Sequence, residues 1–398
     1  MASKLEEWAN LSLQKPISRR PYHVGAGVLF VTLTIFAYIL IGHTSTASEQ
    51  DVATQFGVQS DLFNRTLGFQ KVFAIGLPGR TDKRDMMTLS AGITGLDIEW
   101  WPGIMGEDVP KKAIPAGWKQ AMSLLGSWRA HMNVLDHIIE NHLQSALSLK
   151  MMLTGTIPSR LKCHRVNLIQ DQDQDSSTNS TRSPYGTGWD LLWPGHCKSG
   201  PSEAQQPIYF LENDITVPPT SHRHSRWAQP HVMPEVETNS TRLVYRQKGG
   251  SCTFAYAVTQ AGARKLVASL RSNVIPYDSA VSEVCAHRGG HIQPFDCFST
   301  YPPLISTHRP AGTSEHDSDI SPDHQKGKMH EEYTWDIVFS VKQNIDRLVS
   351  GERMIKSQWP DETISSERNI DDEELQPTGR LEIVNVAEMP KHEVKVTA

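Results

Sequence analysis

Three cations and two carboxylates crowd one short stretch, Pro78-Gly79-Arg80-Thr81-Asp82-Lys83-Arg84-Asp85, directly behind the apolar run Val72-Phe73-Ala74-Ile75-Gly76-Leu77. A strand that ends in a basic turn ahead of a helix is a natural diphosphate site, because backbone N–H groups and guanidinium forks both favour anions. A solvated charged turn is the competing reading of the same residues. Further on, Ile275-Pro276-Tyr277-Asp278 puts a carboxylate on a turn. There it could accept hydrogen bonds from sugar hydroxyls or act as a base, or simply cap the helix behind it. Two other spellings invite a metal: the DxD repeats of Asp171-Gln172-Asp173-Gln174-Asp175, and His222, His224 and His231. The first has no apolar strand to hold it and the second sits among prolines, so both read as loops. A hydrolase reading finds no GxSxG elbow and no paired-His metal motif.

The elements that must position these groups follow from hydrophobic period. Lys71 to Leu77 suits a buried first strand, with a helix from Met86, and Ile98 to Gly103 suits a second strand, leading into a loop through Gly106-Glu107-Asp108. Gly126 to Glu140 then reads as one helix continuing towards Leu143, with Trp128, Met132, Leu135, Ile138 and Ile139 on a single face. A strand starts at Ser145-Ala146-Leu147, and in an α/β sheet its carboxyl end should carry chemistry. Instead Ser148 to Thr156 offers no carboxylate and only one charge, Lys150. Permitted codons for Ser148 to Ile157, TCT TTG AAG ATG ATG CTG ACT GGG ACT ATA, tell more when read one nucleotide earlier. They then spell Ile-Phe-Glu-Asp-Asp-Ala-Asp-Trp-Asp-Tyr, an apolar strand followed by a carboxylate cluster of the kind a divalent cation needs. Codon freedom allows such a re-reading by coincidence; against that, Met151 and Met152 each have a single codon.

The chain has 398 residues and a formal net charge of -5, which leaves room for a sizeable core and argues against a nucleic-acid partner. Val24 to Gly42 is an uncharged, largely apolar run of 19 residues, long enough for a bilayer core of about 30 Å at ~1.5 Å per residue. Lys4, Lys15, Arg19 and Arg20 precede it, and no lysine or arginine follows before Asn64. The positive-inside rule then leaves the N-terminus cytoplasmic and the body lumenal; a cleaved signal peptide is the alternative. The organisation expected is a cytoplasmic tail (1–23), a signal-anchor helix (24–42), a stem (43–66) and a globular domain (67–312) with a doubtful stretch at 148–182. A helical extension (313–359) follows, on Trp335, Val338, Val341, Ile345 and Leu348. Last comes an acidic tail (360–398), poor in apolar residues and expected to be disordered. Cys197, Cys252, Cys285 and Cys297 form an even set after the doubtful stretch, and in a secretory chain they suggest disulfides Cys197–Cys252 and Cys285–Cys297. Asn64, Asn179 and Asn239 begin glycosylation sequons.

In order and spacing these pieces resemble glycosyltransferase family 25, the lipopolysaccharide and procollagen galactosyltransferases, and in particular its fungal membrane-anchored branch. The resemblance runs from about Leu67 to Gly312. It is carried by Val72 to Arg84, by Gly126-Ser127-Trp128-Arg129-Ala130-His131, by Trp189-Asp190-Leu191-Leu192-Trp193, by Tyr256 to Ala263 and by Asp278. It implies a GT-A-like, Rossmann-like α/β nucleotide-sugar-binding domain behind a single transmembrane helix, in a type II protein of the Golgi or ER. It also implies a UDP-sugar donor carrying galactose or a relative, a glycan or glycoprotein acceptor, and a manganese-type divalent cation. Arg80, Asp82, Arg84 and His131 would lie near the donor, with Asp278 as the catalytic residue near the transferred sugar or acceptor. The departure from the family pattern is at Ser148 to Thr156, where no metal ligand remains, and it implies little or no transfer by the chain as written. Two expectations therefore stand: a hexosyltransferase damaged at its metal motif, or a non-catalytic lumenal protein that keeps the fold and binds a glycan or a partner.

Overall fold

Along the first strand, β1 (Lys71–Gly76), Phe73 and Ile75 pack into one apolar cluster while Val72 and Ala74 pack into another. A strand buried on both faces has no polar side, which is why its sequence is a continuous apolar run rather than an alternation. The computed structural model describes residues 64–151, 153–155, 184–186, 188–201, 205–223, 226–227, 238, 240–288, 290–320, 327–360, 367–370 and 378–388. Val58–Ala398 is one compact unit. It is a mixed α/β fold built on one large mixed sheet. Among the described residues no helix is long and apolar enough to cross a membrane. The segment Val24 to Gly42, Asp171 to Asp175, Cys163, His224, His231, Asn179 and Asn239 lie outside the described residues.

Helix α1 (Thr81–Thr94) follows β1, starting five residues before the expected Met86. Asp82 falls in its first turn, where a carboxylate complements the helix dipole, so most of the basic stretch is helix rather than turn. Strand β2 (Glu99–Pro102), helix α2 (Met122–Glu140) and strand β3 (Ser145–Lys150) come next, and β1 lies parallel to and between β2 and β3. On α2 the buried set Leu125, Trp128, Met132, Leu135 and Ile138 faces the sheet, each such side chain contributing roughly 1.5–3 kcal/mol of transfer free energy. A short strand β4 (Leu153–Gly155) follows. Apart from the edge strand Thr378–Asn385, the rest of the sheet comes from β5 (Leu191–Gly195), β6 (Lys198–Pro201), β7 (Gln205–Glu212), β8 (Arg226–Trp227), β9 (Arg242–Ser251), β10 (Ala255–Thr259) and β11 (Cys297–Tyr301). Strand β10 runs antiparallel against β3 and β5, so the parallel block ends at β3. Helix α3 (Gln260–Leu270) is capped by the Thr259 hydroxyl, which accepts the Gly262 N–H, and α4 (Tyr277–Cys285) packs beside it on the α2 face. Disulfides join Cys197 to Cys252 and Cys285 to Cys297.

Two expectations for the C-terminal part are corrected. Trp335 to Leu348 is not one amphipathic helix: only Ile345–Val349 is helical, and Asp336 takes a positive φ of 62° that no helix interior accepts. Val338, Phe339 and Val341 are buried all the same, in successive turns that mimic helical spacing. The acidic tail is not uniformly disordered either. Thr378–Asn385 forms an edge strand along the whole of β7, held by an Arg380–Glu212 ion pair and by the Arg380 guanidinium over the Phe210 ring. Backbone pairing with a long partner strand supplied what the tail's composition lacked.

His196, fully buried after β5, donates its Nε2–H to the Thr300 carbonyl at 2.7 Å, and burial pushes its pKa down to about 4. A base whose folded pKa lies below its unfolded value gives stability that is complete above about pH 6.5 and is lost as pH falls towards 4. The loss from this one group is roughly 3 kcal/mol. Thermal melts at pH 7 and pH 4 should therefore differ strongly, and His196→Gln should flatten that difference.

Candidate functional site

The carboxyl ends of β1, β2 and β3 meet along one margin of the sheet, and a cavity of about 360 Å³ opens there. Ligands of open α/β sheets bind outside the carboxyl ends of parallel strands because loops and helix starts converge there. A larger groove, about 760 Å³, lies at the opposite ends of β1 and β3. Its lysine, Lys265, is committed to the Asp190 carboxylate and the Pro294 carbonyl.

The shape of the first cavity depends on glycine. The loop after β2, Gly103 to Glu107, lies directly on the backbone of α2: a Cβ on Gly126 would collide with the Ile104 carbonyl oxygen, and one on Gly106 with that of Met122. Gly126→Ala is therefore expected to lower the melting temperature, at a cost of about 1–3 kcal/mol or more, and to weaken any ligand of the cavity by displacing its wall. Parallel melting and titration of the variant test both effects.

Lys83, from the first turns of α1, lines the cavity, and its ammonium is held by Asp319 at 2.7 Å, from a loop more than two hundred residues away. Burial lowers the Lys83 pKa, and Asp319 partly restores it. Arg80 does not itself line the cavity. It sits one layer behind, forked onto Asp82, donating to the His316 carbonyl at 2.8 Å and paired with the same Asp319. The hydrogen bonds from Arg80 hold Asp82 down to about pKa 2. Arg84 leaves the group altogether and lies over the Trp100 ring, 4.7 Å from its centroid.

His131 lines the cavity from α2 and stacks on Tyr277 with ring centroids 4.4 Å apart. Its Nδ1 meets the Tyr256 hydroxyl at 3.1 Å, and the Tyr277 hydroxyl donates to that of Tyr256 at 3.2 Å. Burial drives the His131 pKa well below 6.5, and the nearby Lys150 adds to the shift, so the ring is a neutral hydrogen-bonding wall. Asp278 is in the first turn of α4, where it accepts the backbone N–H of Cys252 at 2.8 Å and that of Ser279 at 2.8 Å. The N-cap position of α4 is Pro276 and no side chain caps it, so Asp278 ties the helix start to Cys252 rather than acting as its N-cap, and it does not line the cavity. Asn64 is exposed in a turn, its side-chain oxygen accepting the N–H of Thr66 and of Gly68, and His222 stacks on Trp359.

Strand β3 brings Lys150 and Met151 to the cavity floor. Burial lowers the pKa of Lys150, while Asp278 acts in the opposite direction. The residues present do not fit a divalent cation. Asp319 is spent on Arg80 and Lys83, Glu107 and Glu315 stand at the exposed rim, and an ammonium occupies the strand end. Among the described residues no group of three His, Cys, Asp or Glu side chains could hold a metal. Asp319 and the loop that carries it had no signal in the sequence, because nothing local ties residue 319 to residue 83. Comparison of the chain with known protein families and with curated proteins finds no match.

Proposed function

We propose that this chain is a membrane-anchored protein of glycosyltransferase family 25 type, with a GT-A-like lumenal domain in the Golgi or ER. Its cavity at the ends of β1, β2 and β3 receives the nucleotide part of a UDP-hexose. The observation that carries the reading is the convergence of Lys83, from the basic stretch after β1, with His131, from the Gly126 to His131 stretch, on one cavity at the carboxyl ends of parallel strands. These are two of the segments on which the family resemblance rests. Transfer of the hexose to a glycan or glycoprotein acceptor is impaired in this chain, because β3 ends in Lys150, followed by Met151, instead of carboxylates. That same observation favours the second reading, a non-catalytic protein of this fold that binds a glycan or a partner enzyme.

Calorimetric titration of the full-length protein in detergent with UDP-galactose, UDP-glucose and UDP tests the nucleotide-sugar reading. Saturable binding in the micromolar to millimolar range is expected, as for ordinary nucleotide sites. No heat from any of the three at millimolar concentration would remove it.

A further inference from the structure

We infer that the cavity takes the diphosphate of its nucleotide directly on the amines of Lys150 and Lys83, without a divalent cation. This rests on the nucleotide-sugar reading and specifies what holds the anion. Lys150 closes β3, its backbone fixed by an N–H to the Phe254 carbonyl at 3.1 Å and by its register opposite Ile75. Its side chain lines the cavity beside His131, and among the described residues its amine makes no hydrogen bond or ion pair. The nearest acid acting on it, Asp278, has its two oxygens occupied by the backbone N–H groups of Cys252 and Ser279. Beside Ile75, Ile104 and Met151 the half-buried amine loses part of its hydration, and an anion placed against it restores that loss and favours the charged form.

The second amine is set in place differently. Asp319 grips Lys83 from the loop side and is itself shared with Arg80, which also pairs with Asp82, so Lys83 holds only a share of that carboxylate. The remaining acids of the lining, Glu107 and Glu315, are exposed at the rim, where water screens them. His131 is neutral and contributes hydrogen bonding rather than charge. A divalent cation brought to the same floor would meet the Lys150 ammonium, whereas a diphosphate meets two lysine amines, each able to donate a charge-assisted hydrogen bond to a phosphate oxygen. Gly76, also in the lining, leaves room for the Met151 side chain, which a Cβ there would meet.

The test is calorimetry on the full-length protein with UDP and with inorganic pyrophosphate, each in EDTA and in Mn2+. UDP affinity in EDTA is expected to match that in Mn2+ within about twofold. Lys150→Met is expected to weaken UDP and pyrophosphate by about tenfold or more, the loss of one charge-assisted contact. Lys112→Met, at an exposed lysine outside the cavity lining, should change neither. Lys150→Met removes a half-buried amine that, among the described residues, makes no hydrogen bond or ion pair and should melt no lower than the parent, so weakened binding is not misfolding; Lys83→Met provides a second variant.

UDP binding that appears only with Mn2+, or that Lys150→Met leaves unchanged, overturns the inference and leaves the nucleotide-sugar reading standing. Lys150-dependent pyrophosphate binding with no preference for UDP keeps the amine site and overturns the nucleotide-sugar reading. Binding of neither ligand overturns both.

Discussion

Replacing residues 148–157 with Ile-Phe-Glu-Asp-Asp-Ala-Asp-Trp-Asp-Tyr is expected to raise release of UDP from a UDP-hexose by roughly 10³-fold, and only in the presence of Mn2+. The geometry of β3 gives the reason. Positions 150 and 151 form the cavity floor, and the replacement places a glutamate and an aspartate there, with a further aspartate directly behind. A strand end that repels a dication becomes one that binds it, and the charge developing on the diphosphate leaving group gains a counter-ion. The cost is local: Ser148 is buried opposite Tyr256, and the larger isoleucine must be accommodated on that face. A coupled assay for UDP, run with Mn2+ and with chelator, measures the gain. A replaced chain that folds, melts cooperatively and shows no Mn2+-dependent turnover would end the family 25 reading. Sequencing the transcript across the codons for Gln144 to Tyr185 settles, independently, whether the cell makes Ser148 to Ile157 or the acidic frame.

Arg242→Met is expected to cost about 3–5 kcal/mol, the usual price of stranding a buried charge. Arg242 opens β9 with 1% of its surface exposed, and its Nε donates to Asp214, fully buried, at 2.8 Å. Its other nitrogens serve the carbonyls of Pro302, Pro303 and Thr216, so the one guanidinium ties two loops to the start of β9. Asp214 in turn accepts the backbone N–H and the hydroxyl of Thr216. Thermal denaturation should show a fall in Tm of roughly 6–10 °C. Adding Asp214→Asn to Arg242→Met should recover part of it by removing the charge left behind. A fall of only a degree or two would mean that water reaches Asp214 once the arginine is gone.

Local pattern made several parts of this molecule legible in advance. The continuous apolar run at Val72 to Ile75 marks a strand buried on both faces, and the period of Trp128, Met132, Leu135 and Ile138 marks the sheet-facing side of α2. Both signals are reliable because they depend on neighbours within a turn or a strand. The pattern misled at Trp335 to Leu348, where buried residues recur at helical spacing without a helix. It misled again at Thr378–Asn385, where the acidic composition of the whole tail masked Leu381, Ile383 and Val384 in a segment that pairs along β7. In each case a long-range partner outweighed local propensity.

The candidate site divides in the same way. Residue types alone marked the basic stretch at Arg80 to Arg84, His131 on its helix and the missing carboxylates at Ser148 to Thr156, because charge, period and composition are properties of a short segment. Only the tertiary structure separated the cations. Lys83 faces the cavity, Arg80 supports it through Asp319, and Arg84 turns away to Trp100. It likewise tied Asp278 to the backbone N–H groups of Cys252 and Ser279 and put the Lys150 amine on the floor where a metal's ligands would stand. Which way a side chain points on a helix or strand, and what meets it there, is set by elements hundreds of residues apart. Spacing along one segment carries no information about them.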